Sequence, residues 1–288
     1  MPLQPTALDL SPAELDGLRG GVPAAMPPAE VIALFDDMAP RFDALLVDQL
    51  EYRVPERLRA VLAGVAPDRR FQVALDLGCG TGLMGAQLRP RVDRLDGVDV
   101  SPRMIEAARA RAVYDHLREA EVVDHLRETT VRYDLIVATD VLIYIGDLAP
   151  LFAVARAALA GGGLFACSIE GHDGVDVHRA ATGRYQHSRG YVERMAAAHD
   201  LDVLAFAPTE IRLEAGAFIS GWVFVTTAAR TGARRARRRY DAAEPAVVRA
   251  AGRPHDRESD DDPDAGPGRV RRGAPVRSRG RLSEPRRR

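Results

Sequence analysis

The chain has 288 residues, of which 46% are hydrophobic and 28% charged, and its formal net charge is −1. This length supports one large domain with a substantial core. Two cysteines, Cys79 and Cys167, are too few for a disulfide framework or a structural zinc site. No apolar run reaches bilayer-spanning length, and Met1–Glu30 has no basic start followed by an apolar stretch, so the expected setting is the cytoplasm, away from membranes.

All 40 basic residues are Arg, with no Lys and no Asn in the chain, so an Arg here is weak evidence of bidentate recognition. The charge is unevenly spread. Residues 230–288 hold 18 Arg against nine acids, a net of +9, and the preceding residues carry −10. An acidic body repels a phosphate backbone, which disfavours a nucleic-acid substrate and suits a cationic ligand.

Residues 1–28 are rich in Pro, Ala and Gly and read as a flexible N-terminus, with one short helix capped by Ser11 and Glu14 around Pro12. From 29 to 64, Val31, Leu34, Phe35, Met38, Phe42, Leu45 and Leu46 recur at helical spacing, and Pro40 divides the segment into two helices. This part is expected to form a helical lid or to pack on a sheet edge. From 71 to 227 short apolar runs alternate with helical segments. The strands are 73–77, 94–100, 112–117, 133–140, 164–170, 203–207 and 219–227. Between them, a helix stops at Pro90, Ser101 and Pro102 open another, Asp147 caps one that ends at Gly161–Gly163, and Ser188 caps one that runs to His199. The alternation predicts an α/β fold with a doubly wound, mostly parallel seven-stranded sheet in one domain at 29–229. Residues 230–288 lack apolar periodicity and are expected to be a disordered, Arg-rich tail; a +9 arm could bind nucleic acid or an acidic surface, but a solvated tail is the favoured reading.

The run from Ala74 to Gly85 makes a strand turn sharply into a helix. Gly78, Gly80 and Gly82 can take positive φ and leave room for a ligand against the backbone. Gly80–Gly85 also fits the G-x-G-x-x-G pattern of a dinucleotide site, so an NAD-dependent oxidoreductase is a rival reading. Asp76 argues against it. A carboxylate before the glycines would repel a pyrophosphate but attract an ammonium or sulfonium group. Asp99, at the end of the next strand, can accept hydrogen bonds from ribose hydroxyls in either case, or it can be a solvated acid beside Ser101.

Three segments together carry a resemblance. Asp76-Leu77-Gly78-Cys79-Gly80-Thr81-Gly82 resembles the first motif of class I S-adenosylmethionine-dependent methyltransferases. Gly97–Met104 resembles the segment that follows it, and Tyr133–Leu142 the strand lining the acceptor side. Phe35–Asp43, Tyr52–Pro55 and Gly183–Ser188 are similar to a bacterial subgroup often fused to tetratricopeptide repeats, although this chain has no such repeats. The resemblance implies a Rossmann-like fold, S-adenosylmethionine as cofactor, and methyl transfer to a small molecule at oxygen or nitrogen rather than carbon. By position it implies that Asp76 binds the methionyl ammonium, directly or through water, and that the cofactor lies on Gly78 and Gly80, with Cys79, Thr81 and Gly82 in the same turn. It further implies that Asp99 holds the ribose, Val100 and Met104 flank the adenine, Glu121 meets its amino group, and Asp140 faces the methyl group or the acceptor. A catalytically silent cofactor-binding module is a further alternative.

Methyl transfer from a sulfonium needs mostly alignment, and a base only where the acceptor loses a proton. Asp140, Tyr185 and His187 are the catalytic candidates, with Tyr144 beside them. Each has a plainer reading, as a helix cap for Asp140 and as a packing neighbour for the others. Glu170, His172, Asp173, Asp176 and His178 crowd one loop. Mg²⁺ would need octahedral oxygen ligands not identifiable here, so the loop reads as solvated rather than metal-binding.

Overall fold

The computed structural model describes residues 24–228. The helix expected near Ser11 and the tail at 230–288 lie outside the described residues, as does the N-terminal segment up to residue 23.

Helix α1 (Pro28–Met38) is followed by a 3₁₀ turn at Ala39–Arg41, a π-helical stretch at Ala44–Gln49, and α2 (Val54–Val65). Pro40 ends α1, as its missing N–H requires, but the next segment is a wide π-turn rather than a second α-helix. The body then runs β1 (Phe71–Leu77), α3 (Leu83–Leu88), β2 (Val92–Asp99), α4 (Pro102–Arg111), β3 (His116–Glu119), α5 (Val122–Glu128), β4 (Tyr133–Ala138), α6 (Ala149–Ala158) and β5 (Leu159–Gly171). After a hairpin of β6 (Val177–Arg179) and β7 (Tyr185–His187) come α7 (Arg189–Ala198), β8 (Leu201–Glu214) and β9 (Ala217–Ala228).

The seven main strands lie in the order β3-β2-β1-β4-β5-β9-β8. The first five are parallel, and β9 is antiparallel to both β5 and β8. The short β7 pairs parallel with Glu170 and Gly171 at the far end of β5. Successive residues of β1 face opposite sides of the sheet, as the strand period dictates. Leu75 and Leu77 join Leu151, Phe152, Phe165 and Phe224 in one core, while Ala74 joins Leu58, Leu62, Met84 and Leu135 in the other. Helices therefore cover both faces, and this α/β domain is the doubly wound, Rossmann-like arrangement that the alternation predicts. Each buried Leu or Phe of these cores stabilises the fold by about 1.5–3 kcal/mol.

Two helix starts follow the predicted chemistry. Ser101 Oγ accepts from Met104 N–H, and Ser188 Oγ accepts from Tyr191 N–H. Three local expectations are corrected. Asp147 lies one residue outside α6, whose N-cap is Leu148, and its Oδ1 accepts from Ala149 N–H. Gly161–Gly163 do not end α6 but lie within β5, which begins at Leu159. The third strand is not 112–117 but His116–Glu119, because Ala112 closes α4 in the left-handed region and Tyr114 turns inward to pack under the glycine-rich turn. The last two strands are also longer than predicted. They form a hairpin over Ala215-Gly216, both at positive φ, a geometry that suits tight hairpins. That extension carries Arg212 to the carboxyl end of the sheet.

Candidate active site

Strand order reverses between β1 and β4, and a crevice outside the carboxyl ends of parallel strands at such a point is the usual ligand position in open α/β sheets. A cavity of about 290 Å³ opens there. Its floor is the turn after β1, with Gly78, Cys79, Gly80 and Thr81, and its near wall carries Asp99, Val100 and Glu121. Its far wall carries Thr139, Asp140, Tyr144, Arg184 and Arg212, and its roof is the N-terminal cap, with Phe35, Met38, Phe42, Leu46 and Tyr52 among its residues.

The glycine turn is held open by its sequence. Gly78, Gly80 and Gly82 have φ of 62°, 53° and 93°. A Cβ on Gly78 would lie 2.3 Å from Val141 Cγ2, so no larger residue fits there. Asp99 fastens the turn to β2. One oxygen accepts from Gly80 N–H at 2.8 Å and the other from Ser101 N–H at 2.9 Å. Burial raises its pKa, against the pull of those N–H donors.

Asp76 sits behind the cavity surface. It is fully buried and does not line the cavity. Its Oδ2 accepts from the Tyr114 hydroxyl at 2.7 Å, while Oδ1 has no partner. Burial pushes its pKa up to about 7, and the Asp99 charge adds to this against the Tyr114 bond. Asp76 thus supports the turn from beneath. Gly85 and Gly97 explain how Tyr114 reaches it, since a Cβ on Gly85 would lie 2.3 Å from the Tyr114 hydroxyl and one on Gly97 3.0 Å from its ring. The third glycine of the dinucleotide-like pattern therefore makes room for a tyrosine.

Other expected residues divide between the cavity and the core. Gly78, Cys79, Gly80, Thr81, Asp99, Val100, Glu121 and Asp140 reach the cavity, whereas Gly82 and Met104 do not line it. Met104 is fully buried in the core on the α2 and α3 side of the sheet. The Cys79 thiol is pushed well up by burial and by the Asp76 and Asp99 charges, so it is a poor nucleophile. Glu121 caps α5 through a bond from Asp124 N–H to one carboxylate oxygen.

Two catalytic candidates lie off the cavity. His187 is fully buried away from the cavity, with Nε2 3.2 Å from Gly146 O, and burial lowers its pKa to about 4. Tyr185 is likewise fully buried off the cavity wall. Both belong to β7, whose side chains pack inward behind the loop that follows β4. Asp140 does line the cavity. It has φ 55°, unusual for a residue with a Cβ, and its N–H donates to Ser168 Oγ at 2.8 Å.

Sequence reasoning missed the partners of Asp140. The Arg212 side chain is 4% exposed and binds Asp140 Oδ2 at 3.3 Å, Glu170 Oε1, and Glu214 Oε2 at 3.2 Å. Glu214 also pairs with Arg184 at 2.7 Å. Burial raises the Asp140 pKa to about 6, with Arg212 opposing and Glu170 adding to the rise. Burial works against the Arg212 charge, yet the surrounding carboxylates raise its pKa overall. Glu170 thereby leaves the acidic loop in which it was read. In that loop Asp176 pairs with Arg194, and among the described residues no three metal-ligating groups converge.

The cap is latched to the turn it covers. Ser101 Oγ donates to Asp36 Oδ1 at 2.6 Å, Thr81 Oγ1 to Asp43 Oδ1 at 2.5 Å, and Arg111 pairs with Asp43. Met26 N–H donates to Tyr144 O and Gly146 N–H to Ala24 O, so the segment leading into α1 bridges to the loop after β4.

Fold and turn define a Rossmann-like domain with a nucleotide-sized crevice, and the comparisons with known proteins narrow that class. Residues 75–165 match the family model described as a methyltransferase domain. The chain is 36% identical over 84 residues to nodulation protein S of Bradyrhizobium diazoefficiens, covering 29% of this chain and 40% of that protein. It is 34% identical over 99 residues to a ubiquinone biosynthesis O-methyltransferase of Methylobacterium, covering 32% and 38%. The alignments thus span about two fifths of these relatives' length. Among solved structures, the Burkholderia thailandensis 1,6-didemethyltoxoflavin-N1-methyltransferase superposes with a TM-score of 0.56 at 15% identity, covering 78% of this chain and 94% of that one. The fold is therefore that of these methyltransferases, and the dinucleotide alternative finds no support among them.

Proposed function

We propose that the protein transfers a methyl group from S-adenosylmethionine to a small-molecule acceptor, at oxygen or nitrogen. The observation that carries this reading is the coincidence, in one cavity, of the methyltransferase-matching segment's glycine turn with the Asp99 carboxylate. The residues fit the cofactor. Gly78 and Gly80 expose backbone where a nucleoside can lie close, Asp99 keeps lone pairs free beside the turn, and Glu121 and Asp140 add negative charge suited to a sulfonium.

In this reading Asp99 holds the ribose, Val100 flanks the adenine, Glu121 meets its amino group, and Asp140 faces the acceptor. Asp76 acts indirectly, by shaping the turn. The cofactor supplies a methyl group on a leaving group already attached, so the protein's task is alignment and exclusion of water. The apolar cap over the crevice suits the second task. The lead-in residues Phe35–Asp43 and Tyr52–Pro55 further suggest the bacterial subgroup often fused to tetratricopeptide repeats. A single domain over 29–229, cytoplasmic and without a nucleic-acid substrate, completes the reading.

Calorimetric titration with S-adenosylhomocysteine tests it. Binding in the wild type that weakens more than about tenfold in Asp99→Ala, the loss expected for charged hydrogen bonds, supports it. Absence of binding to either S-adenosyl compound would overturn it.

A further inference from the structure

The far wall of the cavity indicates what the acceptor is. We propose that Asp140 and Arg212 recognise a neutral, largely apolar ring bearing one O–H or N–H group, and that Asp140 accepts the hydrogen of that group while Arg212 positions the carboxylate. The inference rests on the methyl-transfer reading and adds to it a substrate class and a positioning residue.

Asp140 stands at the carboxyl end of β4 in a left-handed conformation, and that turn brings it onto the cavity wall. Its N–H is held by Ser168 and one carboxylate oxygen by Arg212. The other oxygen lies 3.4 Å from Ser168 Oγ, a long contact that leaves accepting capacity. The groups facing Asp140 are Arg212 and Glu214 from β8, Glu170 and Ser168 from β5, Arg184 before β7, Tyr144 after β4, and Tyr52 ahead of α2.

Charge then selects the ligand. Asp140, Glu170 and Glu214 oppose Arg212 and Arg184, which leaves this partly buried group one negative charge in excess. Arg212 is already bound by three carboxylates and Arg184 is paired with Glu214, so the positive charge on this wall is offset, and a further carboxylate would meet like charge. The rest of this end is apolar and aromatic. Phe35 packs edge-on against Phe42 and against Tyr144, with ring centroids 6.0 Å and 5.5 Å apart. Such a lining favours a flat apolar body, with the single polar contact at Asp140.

The step balances. The lone pair of the acceptor oxygen or nitrogen forms the bond to the methyl carbon, the carbon–sulfur bond breaks with its electron pair left on sulfur, and the acceptor proton passes to Asp140. Asp140 later returns the proton to solvent.

The test uses the full-length protein saturated with S-adenosylhomocysteine, and three fluorescent probes: 2-naphthol, 2-methoxynaphthalene and 2-naphthoate. At pH 8, 2-naphthol is expected to bind about tenfold more tightly than the other two, the effect of one hydrogen bond to a charged group. Asp140→Asn, which tolerates the left-handed backbone, should reduce that preference to about twofold or less, the residue of a neutral hydrogen bond. In the wild type the preference should fade as pH drops through about 6, and Arg212→Lys, which keeps the charge but loses the fork, should move that midpoint upward. If Arg212→Lys does not fold, the Asp140→Asn comparison decides alone. Equal binding of the three probes, or tightest binding of 2-naphthoate, overturns the inference while leaving the methyl-transfer reading intact. Failure of S-adenosylhomocysteine itself to bind overturns both.

Discussion

The two walls of the cavity are built on opposite plans. The floor and most of the near wall come from one stretch, Gly78 to Val100, in which a glycine turn, a helix and a second strand follow one another, with Glu121 added from the start of α5. On the far wall Asp140, Arg184 and Arg212 are held by Ser168, Glu170 and Glu214 behind them, and the six come from four separate segments. On the near wall the backbone does most of the work, through positive-φ glycines and N–H groups bound by Asp99. On the far wall side-chain charges do it, arranged around the buried Arg212–Glu170 pair. A contiguous wall suits a ligand of fixed shape. An assembled wall can change its ligand by one substitution on one strand.

The largest effect expected on the near wall is electrostatic. Asp76 has a folded pKa of about 7 against an ordinary 3.8. A carboxyl raised in this way contributes stability that is fully present below about pH 4 and is lost as pH rises through 7. Three pH units correspond to about 4 kcal/mol as an order of magnitude. Urea unfolding at pH 4, 5.5 and 7 should show Asp76→Asn flattening the decline across this window. An unchanged slope would mean that the turn is not strained by this charge.

Next is Gly78→Ala. The added Cβ meets Val141 and the left-handed backbone resists it, so a loss of about 1–3 kcal/mol of stability is expected, with weakened S-adenosylhomocysteine binding. Thermal unfolding and calorimetry check this together. Unchanged binding would show that the turn does not touch the ligand and would blur the contrast between the walls.

The smallest effect belongs to the cap, which touches both walls. Asp43→Ala removes the contacts to Thr81 and Arg111. Partly exposed pairs of this kind contribute about 0.5–1 kcal/mol, so S-adenosylhomocysteine should dissociate two- to fivefold faster, roughly, in stopped flow with little change in fold stability. An unaltered off-rate would remove the cap from the account of ligand retention.

How much could be read in advance follows the same division. The near wall was legible because its signals are local. Glycines at fixed spacing, an acid at a strand end, and Ser101 followed by Pro102 all act within a few residues. The fold was legible because buried strands alternate with amphipathic helices. The burial of Asp76 beneath the turn was not legible because its partner, Tyr114, lies 38 residues away and reaches it only through space left by Gly85 and Gly97. His187 and Tyr185 looked catalytic by residue type, but the three-residue strand that turns them into the core has too short a pattern to detect. Arg212 was invisible among 40 arginines, since only the long β8–β9 hairpin shows which of them is buried beside Asp140, 72 residues earlier.

The central claim is that this crevice binds S-adenosylmethionine on the turn that Asp99 fastens. Its most direct test is calorimetry with S-adenosylhomocysteine on the wild type and on Asp99→Ala, with NADH titrated alongside. One-to-one binding of the S-adenosyl compound that weakens more than about tenfold in the variant is the predicted result. Binding of NADH without any heat from the S-adenosyl compound would contradict it.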